Sequence, residues 1–222
     1  MDKIKYFIVI DTEFVSSKEG AQPFQISMIA LQLNKKKLTK ISDFNAFIIL
    51  REGLRLNYHA RKHTGITEEK LKNIGIYPDM AVNQVVNFLL NFNIKETMIV
   101  GWAVNNDKLM LEKLINYNDE LINLNAYTWY DLANSYLKLN RVKGNDTPSL
   151  KSACDHYRLA GYNFHDAEDD ARATALLLSM FIKEVGFDQA IKIPMIKAGK
   201  EKEKREKLKK LKEGKKLNAK TI

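Results

Sequence analysis

Hydrophobic residues along this chain follow two patterns, and each pattern predicts a different secondary structure. Short apolar runs bounded by turn residues predict buried strands, at about residues 5–11, 24–33, 42–50, 97–102 and 124–130. Apolar residues three and four positions apart predict helices, at about residues 67–74, 79–92, 105–118, 131–139, 148–159 and 167–184. Three strands come first, and strands then alternate with helices. We therefore expect an α/β fold with a mixed five-stranded sheet flanked by helices, its first three strands forming a meander.

The first predicted strand ends in two acidic residues. Tyr6 to Ile10 are β-prone residues in an unbroken run, and Asp11-Thr12-Glu13 follows directly. Side chains two positions apart on a strand share a face, so Asp11 and Glu13 are expected to lie side by side. Two half-buried carboxylates repel each other, and a divalent cation that takes oxygen ligands, Mg²⁺ or Mn²⁺, relieves that repulsion. Taken alone, the pattern is equally compatible with a strand that ends in a solvated turn.

A third carboxylate lies on the apolar face of the last predicted helix, for which Asp166 is a suitable N-cap. The residues on that face are apolar or small except for one: Ala167, Asp170, Ala171, Thr174, Leu177, Leu178 and Phe181. A lone carboxylate facing a core is costly unless something pairs with it. The helix dipole accounts for Asp169 better than for Asp170. The pattern therefore predicts that Asp170 is a metal ligand.

Two further residues are candidates for the same site. Asp107 shares a face of the mid-chain helix with three apolar residues, Met110, Leu111 and Leu114. It also lies at the helix start, where the dipole alone stabilises a carboxylate, so both interpretations stay open. His165 lies in the loop just before Asp170, and an imidazole there is suited to act as a general base near neutral pH.

The order of these motifs resembles that of the DEDDh exonucleases, the DnaQ-like family that includes RNase T and proofreading-subunit exonucleases. The segments that carry the resemblance are Ile10–Phe14, Val100–Asp107 and His165–Ala171, with weaker similarity at Pro23–Ser27 and at His63–Thr67. It covers about residues 6–185 and implies a ribonuclease H-like fold. Trp102-Ala103 stands where many members have His-Asn, which leaves RNA and DNA open as substrates.

The resemblance also implies a metal centre. Asp11, Glu13, Asp107 and Asp170 would hold two Mg²⁺ or Mn²⁺ ions, roughly 3.5–4 Å apart, that bridge the scissile phosphate. His165 would take the proton from the attacking water. The site would thus hydrolyse phosphodiester bonds by a two-metal-ion mechanism.

The implied substrate is a single-stranded 3′ end of RNA or DNA, from which nucleoside monophosphates are released in the 3′→5′ direction. Thr12, Phe14 and Trp102 would contact the terminal nucleotide. The alternative is a catalytically inactive nucleic-acid-binding adaptor of the same fold, whose signature is loss of a motif carboxylate. None of the four carboxylates is lost here.

Composition excludes several other classes of protein. The chain has 222 residues, 45% of them hydrophobic, which is enough for one sizeable core. Cys154 is its single cysteine and is predicted to be buried, so neither an internal disulfide nor a thiolate metal site is expected. His59 and His63 have no third ligand nearby in sequence and do not indicate a metal site. The absence of a long apolar span or signal peptide predicts a cytoplasmic protein without membrane contact.

Charge is concentrated at the carboxyl terminus. Residues 197–222 contain twelve Lys or Arg against four Glu, a net charge of +8 out of +9 for the whole chain. We expect an exonuclease domain over residues 1–190 and a basic lysine-rich tail over residues 191–222. The tail is either a solubilising appendage or a sequence-independent phosphate-binding arm. The sequence does not identify a polymerase or an RNA-processing partner.

Overall fold

The computed structural model describes residues 4–35, 37–115, 122–139, 148–187 and 189–190. Within these residues five strands are present: β1 (Tyr6–Ser17), β2 (Gly20–Asn34), β3 (Lys37–Phe47), β4 (Thr97–Gly101) and β5 (Thr128–Asp131). The α-helices are α1 (Tyr58–Thr64), α2 (Glu68–Ile74), α3 (Pro78–Leu90), α4 (Asn105–Ile115), α5 (Leu132–Leu139), α6 (Leu150–His156) and α7 (Ala167–Val185). Short 3₁₀ helices precede β4 and β5, at Ile94–Glu96 and Leu124–Ala126.

The strands form one mixed sheet in the order β3-β2-β1-β4-β5. The first three are antiparallel neighbours, as the predicted meander requires, whereas β4 lies parallel to both β1 and β5. The predicted fold class, a mixed five-stranded sheet flanked by helices, is confirmed. In this order β1 is the central strand.

The centre of the sheet explains the sequence of β1. Phe7, Ile8, Val9 and Ile10 have no exposed surface, because helices cover both faces of the strand. Phe7 and Val9 pack in one core layer with residues of α5, α6 and α7. Ile8 and Ile10 pack in the opposite layer with residues of α3 and α4. Alternate residues of β1 therefore face different sets of helices.

Several strand boundaries differ from the prediction; β3, for example, was predicted at residues 42–50 and spans Lys37–Phe47. β1 was predicted to end near Asp11 but continues to Ser17, paired with a β2 that begins at Gly20. The two acidic residues therefore lie within the strand, with a register irregularity between Glu13 and Phe14. The last strand was predicted from residue 124, but Leu124–Ala126 is a 3₁₀ turn and β5 begins at Thr128.

Helix α1 was not predicted. None of its residues is buried, so it lacks the apolar stripe on which the sequence prediction depends. Its ends are fixed by local interactions instead: the Asn57 side chain accepts a hydrogen bond from the Ala60 N–H, and Gly65 has a left-handed backbone.

The turn residues Gly144-Asn145-Asp146 predict a surface loop at Lys138–Pro148. Most of this loop and the basic tail predicted at residues 191–222 lie outside the described residues. Among the described residues, no helix is long and apolar enough to cross a membrane.

Candidate active site

The acidic residues of β1 lie between two helices on opposite faces of the sheet. Asp11 and Glu13 continue the alternation of Phe7 and Val9 and therefore face the layer of α7, which carries Asp170. Thr12 continues the alternation of Ile8 and Ile10 and faces α4, which carries Asp107. Both helices begin close to this part of β1, so the strand brings the sequence motifs together.

Thr12 connects β1 to α4 directly. Its hydroxyl donates a buried hydrogen bond of 2.8 Å to Oδ1 of Asp107. Thr12 and Asp107 are only 6% exposed each. Thr12 was predicted to contact the substrate, and this bond was not predicted, because no local sequence pattern relates residues 95 positions apart.

His165, Asp170 and Glu13 form the most compact group of the site. One ligand atom from each of the three lies within 4.8 Å of the others. The His165 backbone N–H donates a 3.0 Å hydrogen bond to Oδ2 of Asp170. His165 has a φ of 69°, in the left-handed region, and its side chain is exposed. This backbone conformation places an accessible imidazole beside two carboxylates.

Burial raises the pKa of every carboxyl group in the cluster, and repulsion from the other members raises the pKa of Asp11 and Glu13 further. For Asp11, burial raises the pKa well above its usual value, and the neighbouring Asp107, Asp170 and Glu13 raise it further. Burial, then Asp170 and Asp107, raise the pKa of Glu13 to about 8. These shared effects place the four side chains in one electrostatic environment.

The other two carboxyl groups are stabilised in part by hydrogen bonds. Burial raises the pKa of Asp107 to about 7 although the bond from Thr12 opposes the shift. Burial raises the pKa of Asp170 to about 6 against the opposing effect of the His165 N–H. Near neutral pH the cluster therefore holds protons that ordinary carboxylates would have lost.

The cluster fits a divalent cation. Oδ1 of Asp170 is buried and has no hydrogen-bond partner among the described residues. Carboxylate oxygens are typical ligands of Mg²⁺ and Mn²⁺, and a neighbouring imidazole also suits Zn²⁺. A cation bound here would satisfy that oxygen and offset both the burial of the carboxylates and the repulsion around Asp11 and Glu13.

The start of α7 is fixed by residues that bind it to the sheet. Asp166 caps the helix by accepting the N–H groups of Glu168 and Asp169, as predicted. Gln25 of β2 donates to Oδ1 of Asp166 at 3.3 Å and accepts the Ala167 N–H at 3.3 Å. Because Gln25 is only 1% exposed, these bonds hold the first turn of α7, and with it Asp170, against the sheet.

Phe14 and Trp102, which were predicted to contact the substrate, lie at the borders of this region. Phe14 is partly buried on β1, just beyond the register irregularity. Trp102 donates from Nε1 to the Pro148 carbonyl at 2.9 Å and packs against Tyr136 with ring centroids 5.6 Å apart. A role in substrate binding remains a prediction for both.

The turn after β4 positions the start of α4. Ala103 has a φ of 58°, and its N–H donates to Oδ1 of Asp131 at the end of β5 at 3.2 Å. The same oxygen accepts the N–H of Asn134 at 3.3 Å. Asp131 thus connects the ends of two parallel strands next to Asp107. It was not predicted as a site residue, and the only signal for it in the sequence is its position directly after an apolar run.

One contact of His165 was not predicted. The ring of His63, at the end of α1, lies 4.8 Å from the ring of His165 between centroids. His63 was considered only as part of a pair with His59 and as a weak similarity to a family loop. Its position beside His165 depends on the unpredicted helix α1.

Comparison with known protein families identifies the family of this chain. A family model described as exonuclease, of the RNase T type, matches residues 8–178. No curated protein sequence matches the chain significantly.

Solved structures similar to this chain include several nucleases. E. coli exonuclease I in complex with a dT13 oligonucleotide matches with a TM-score of 0.66 and 16% identity, over 80% of this chain and 41% of that one. Its zinc-bound form with single-stranded DNA matches with a TM-score of 0.67 and 16% identity, over 82% and 41%. Cell-death related nuclease 4 matches with a TM-score of 0.67 and 14% identity, over 82% and 65%. This chain thus spans about two fifths of exonuclease I. By its matching family model, the chain belongs to the RNase T-type exonuclease family.

Proposed function

We propose that this protein is a metal-dependent 3′→5′ exonuclease that releases nucleoside monophosphates from single-stranded nucleic acid. The observation that carries the proposal is the convergence of Asp11, Glu13, Asp107 and Asp170 in one cluster, with an accessible His165 beside Glu13 and Asp170. Membership of the exonuclease family supports it. The oligonucleotide complex of E. coli exonuclease I, a protein of the same fold, favours a single strand as the substrate.

The carboxylates would bind the metal. Glu13 and Asp170 have ligand atoms within 4.8 Å of each other and of His165, so they would share one Mg²⁺ or Mn²⁺ ion, with Asp11 next to them. Asp107, held by Thr12 on the α4 side, would contribute to a second ion. Bound ions would lower the pKa of water and neutralise charge on the leaving oxygen.

His165 would act as the general base. Its imidazole is exposed, so a water molecule and a substrate phosphate can approach it. The hydrogen bond from its backbone to Asp170 fixes the loop relative to the carboxylates. The imidazole would therefore accept a proton from the water that attacks the phosphorus atom.

Digestion of labelled oligonucleotides tests the proposal. Matched RNA and DNA strands with a 5′ label, single or double stranded, are incubated with Mg²⁺, with Mn²⁺ or with a chelator. We expect products that shorten progressively from the 3′ end, with nucleoside monophosphates released, only when a divalent ion is present.

A strand blocked at its 3′ end by phosphorothioate linkages, which resist hydrolysis, serves as the control and should resist digestion. Internal cleavage of the blocked strand would contradict exonuclease action. Undiminished digestion in the chelator would contradict the metal requirement. The ratio of rates on RNA and DNA identifies the preferred polymer.

A further inference from the structure

Four aromatic rings form a continuous row on the protein surface that ends at the candidate active site. Between ring centroids, Tyr58 lies 5.7 Å from His59, His59 lies 6.4 Å from His63, and His63 lies 4.8 Å from His165. The rings of His59 and His63 are nearly parallel, at 13°. We call Tyr58, His59, His63 and His165 the ring ladder.

The ladder is exposed along its whole length. Tyr58 is 64% exposed, and the three histidines are exposed as well. Helix α1, which carries three of the four rings, buries none of its residues and so contributes little to the core. Exposed aromatic rings next to a site are available to a ligand.

Helix α1 is positively charged, which favours the binding of a polyanion. The helix has no acidic residue, and Arg61 and Lys62 are both exposed. Lys62 lies on the ladder face, with its ammonium nitrogen 5.8 Å from the centre of the Tyr58 ring. A cation next to a row of rings presents phosphate and base contacts on the same surface.

From these contacts we infer that the ring ladder binds the single-stranded segment next to the scissile 3′ end, with unpaired bases stacked on its rings. The inference rests on the proposed function, because it takes His165 as the point that the strand end reaches. Stacking is sequence-tolerant, since every base has a π face, and His stacks on bases as Phe, Tyr and Trp do. A duplex does not fit, because its bases are already stacked and paired. Lys62 would contact the backbone phosphate between two of the bases.

The test is a double-mutant cycle between one ring and the bases. Affinity is measured by fluorescence anisotropy in a chelator, so that no hydrolysis occurs, for a labelled single strand of about ten nucleotides. The second strand is identical except that the bases near its 3′ end are replaced by abasic sites. Both strands are titrated with the unmodified protein and with Tyr58→Ala.

We expect Tyr58→Ala to weaken binding of the complete strand about tenfold and binding of the abasic strand hardly at all. Tyr58→Phe retains a ring and should bind as the unmodified protein does. Tyr77→Ala is the matched control, because Tyr77 is 67% exposed but lies at the start of α3, outside the ladder. It should leave the affinity for both strands unchanged.

Equal losses on the two strands, or no loss with Tyr58→Ala, would overturn the inference. Equal losses for Tyr58→Ala and Tyr77→Ala would overturn it as well. A thermal melt of each variant establishes that the fold is intact. The cycle needs no catalysis, so failure of the exonuclease proposal is recognised separately, by the absence of metal-dependent digestion.

Discussion

The acidic side chains that are proposed to bind the metal also lower the stability of the metal-free protein as pH rises. A carboxyl group whose pKa is raised on folding binds protons more tightly in the folded state than in the unfolded state. Its contribution to the free energy of unfolding therefore decreases as pH rises between the two pKa values. For Glu13 that window extends from 4.5 to about 8. Asp107 and Asp170, with pKa values of about 7 and about 6, act in the same direction.

Replacement of Asp11 by Asn should separate stability from activity. Asn cannot ionise, so it removes the cost of placing a charge at this buried position beside Asp107, Asp170 and Glu13. Asp11→Asn should therefore melt higher than the unmodified protein in a chelator at pH 8. The increase should be a few degrees, at about 2–4 °C per kcal/mol for a domain of this size. At pH 5 the difference should shrink, because the cluster is then largely protonated. Hydrolysis should fall by several orders of magnitude.

Asp43→Asn is the control for this prediction. Asp43 is exposed on β3 and pairs with Lys40 at 2.9 Å, so its loss should change the melting temperature little at either pH. Nuclease activity of Asp11→Asn close to that of the unmodified protein would contradict the proposed metal site. A lower melting temperature at pH 8 would contradict the electrostatic argument.

The role of His165 should be tested with a replacement that tolerates the left-handed backbone conformation at this position. Because its φ is 69°, Asn is a better replacement than Ala, as Asn is among the residues enriched at positive φ. His165→Asn should lower kcat about a hundredfold or more while divalent-ion affinity, measured by calorimetry, changes little. The low-pH limb of the rate profile should be lost. Imidazole added to the buffer should restore part of the rate.

The outcomes for His165 distinguish a base from a structural residue. Restoration by imidazole with an unchanged fold supports the role of base. An unchanged pH profile and no restoration would assign His165 to the support of the Asp170 loop instead.

At the level of secondary structure, the sequence predicted those elements that form by burying an apolar face. The apolar faces of α4 and α7 are buried as predicted, including Asp107 and Asp170. Helix α1 was missed because its caps, not its packing, form it. The hydrogen bond between Thr12 and Asp107 and the contact between His63 and His165 were missed for a different reason. Both join distant residues, and no pattern along one segment contains that information.

The junction between β4 and α4 places Asp107 and provides a prediction at this scale. A Cβ added at Gly101 would lie 2.6 Å from Cγ2 and 2.9 Å from Cβ of Val104, and 3.2 Å from the Ile10 carbonyl oxygen. Gly101→Ala should therefore displace the start of α4 and destabilise the protein by about 1–3 kcal/mol. Thermal melts and rates on a labelled oligonucleotide check this, and both should decrease.

Val104→Ala provides the matched test for that mechanism. It removes the nearer contact, Cγ2, but leaves a small cavity of its own. In the double variant the destabilisation should be smaller than the sum of the two single effects, because one change relieves the other. Strict additivity would show that the clash with Val104 does not cause the loss.

At the scale of the whole molecule, the site is assembled from both faces of the sheet at its central strand. The motifs could be located in the sequence because each contains a carboxylate on an otherwise apolar face. To predict where the motifs meet, the order of the strands in the sheet is needed. β4 becomes the parallel neighbour of β1 only after a crossover through the residues of α1, α2 and α3. The three-dimensional arrangement of the carboxylates therefore comes from topology, and their identity from local sequence.

The last prediction concerns the basic tail, which lies outside the described residues. Deletion of residues 197–222 removes a net charge of +8 and none of the candidate site residues, so turnover at saturating substrate should persist. If the tail is a phosphate-binding arm, affinity for single strands should fall, most at low salt. Each lost phosphate contact subtracts roughly 0.7 from the slope of log K against log salt, so three contacts change it by about two. A tail of the same composition in shuffled order should restore the slope, because such binding does not depend on sequence. Equal slopes for the truncated and full-length proteins would instead make the tail a solubilising appendage.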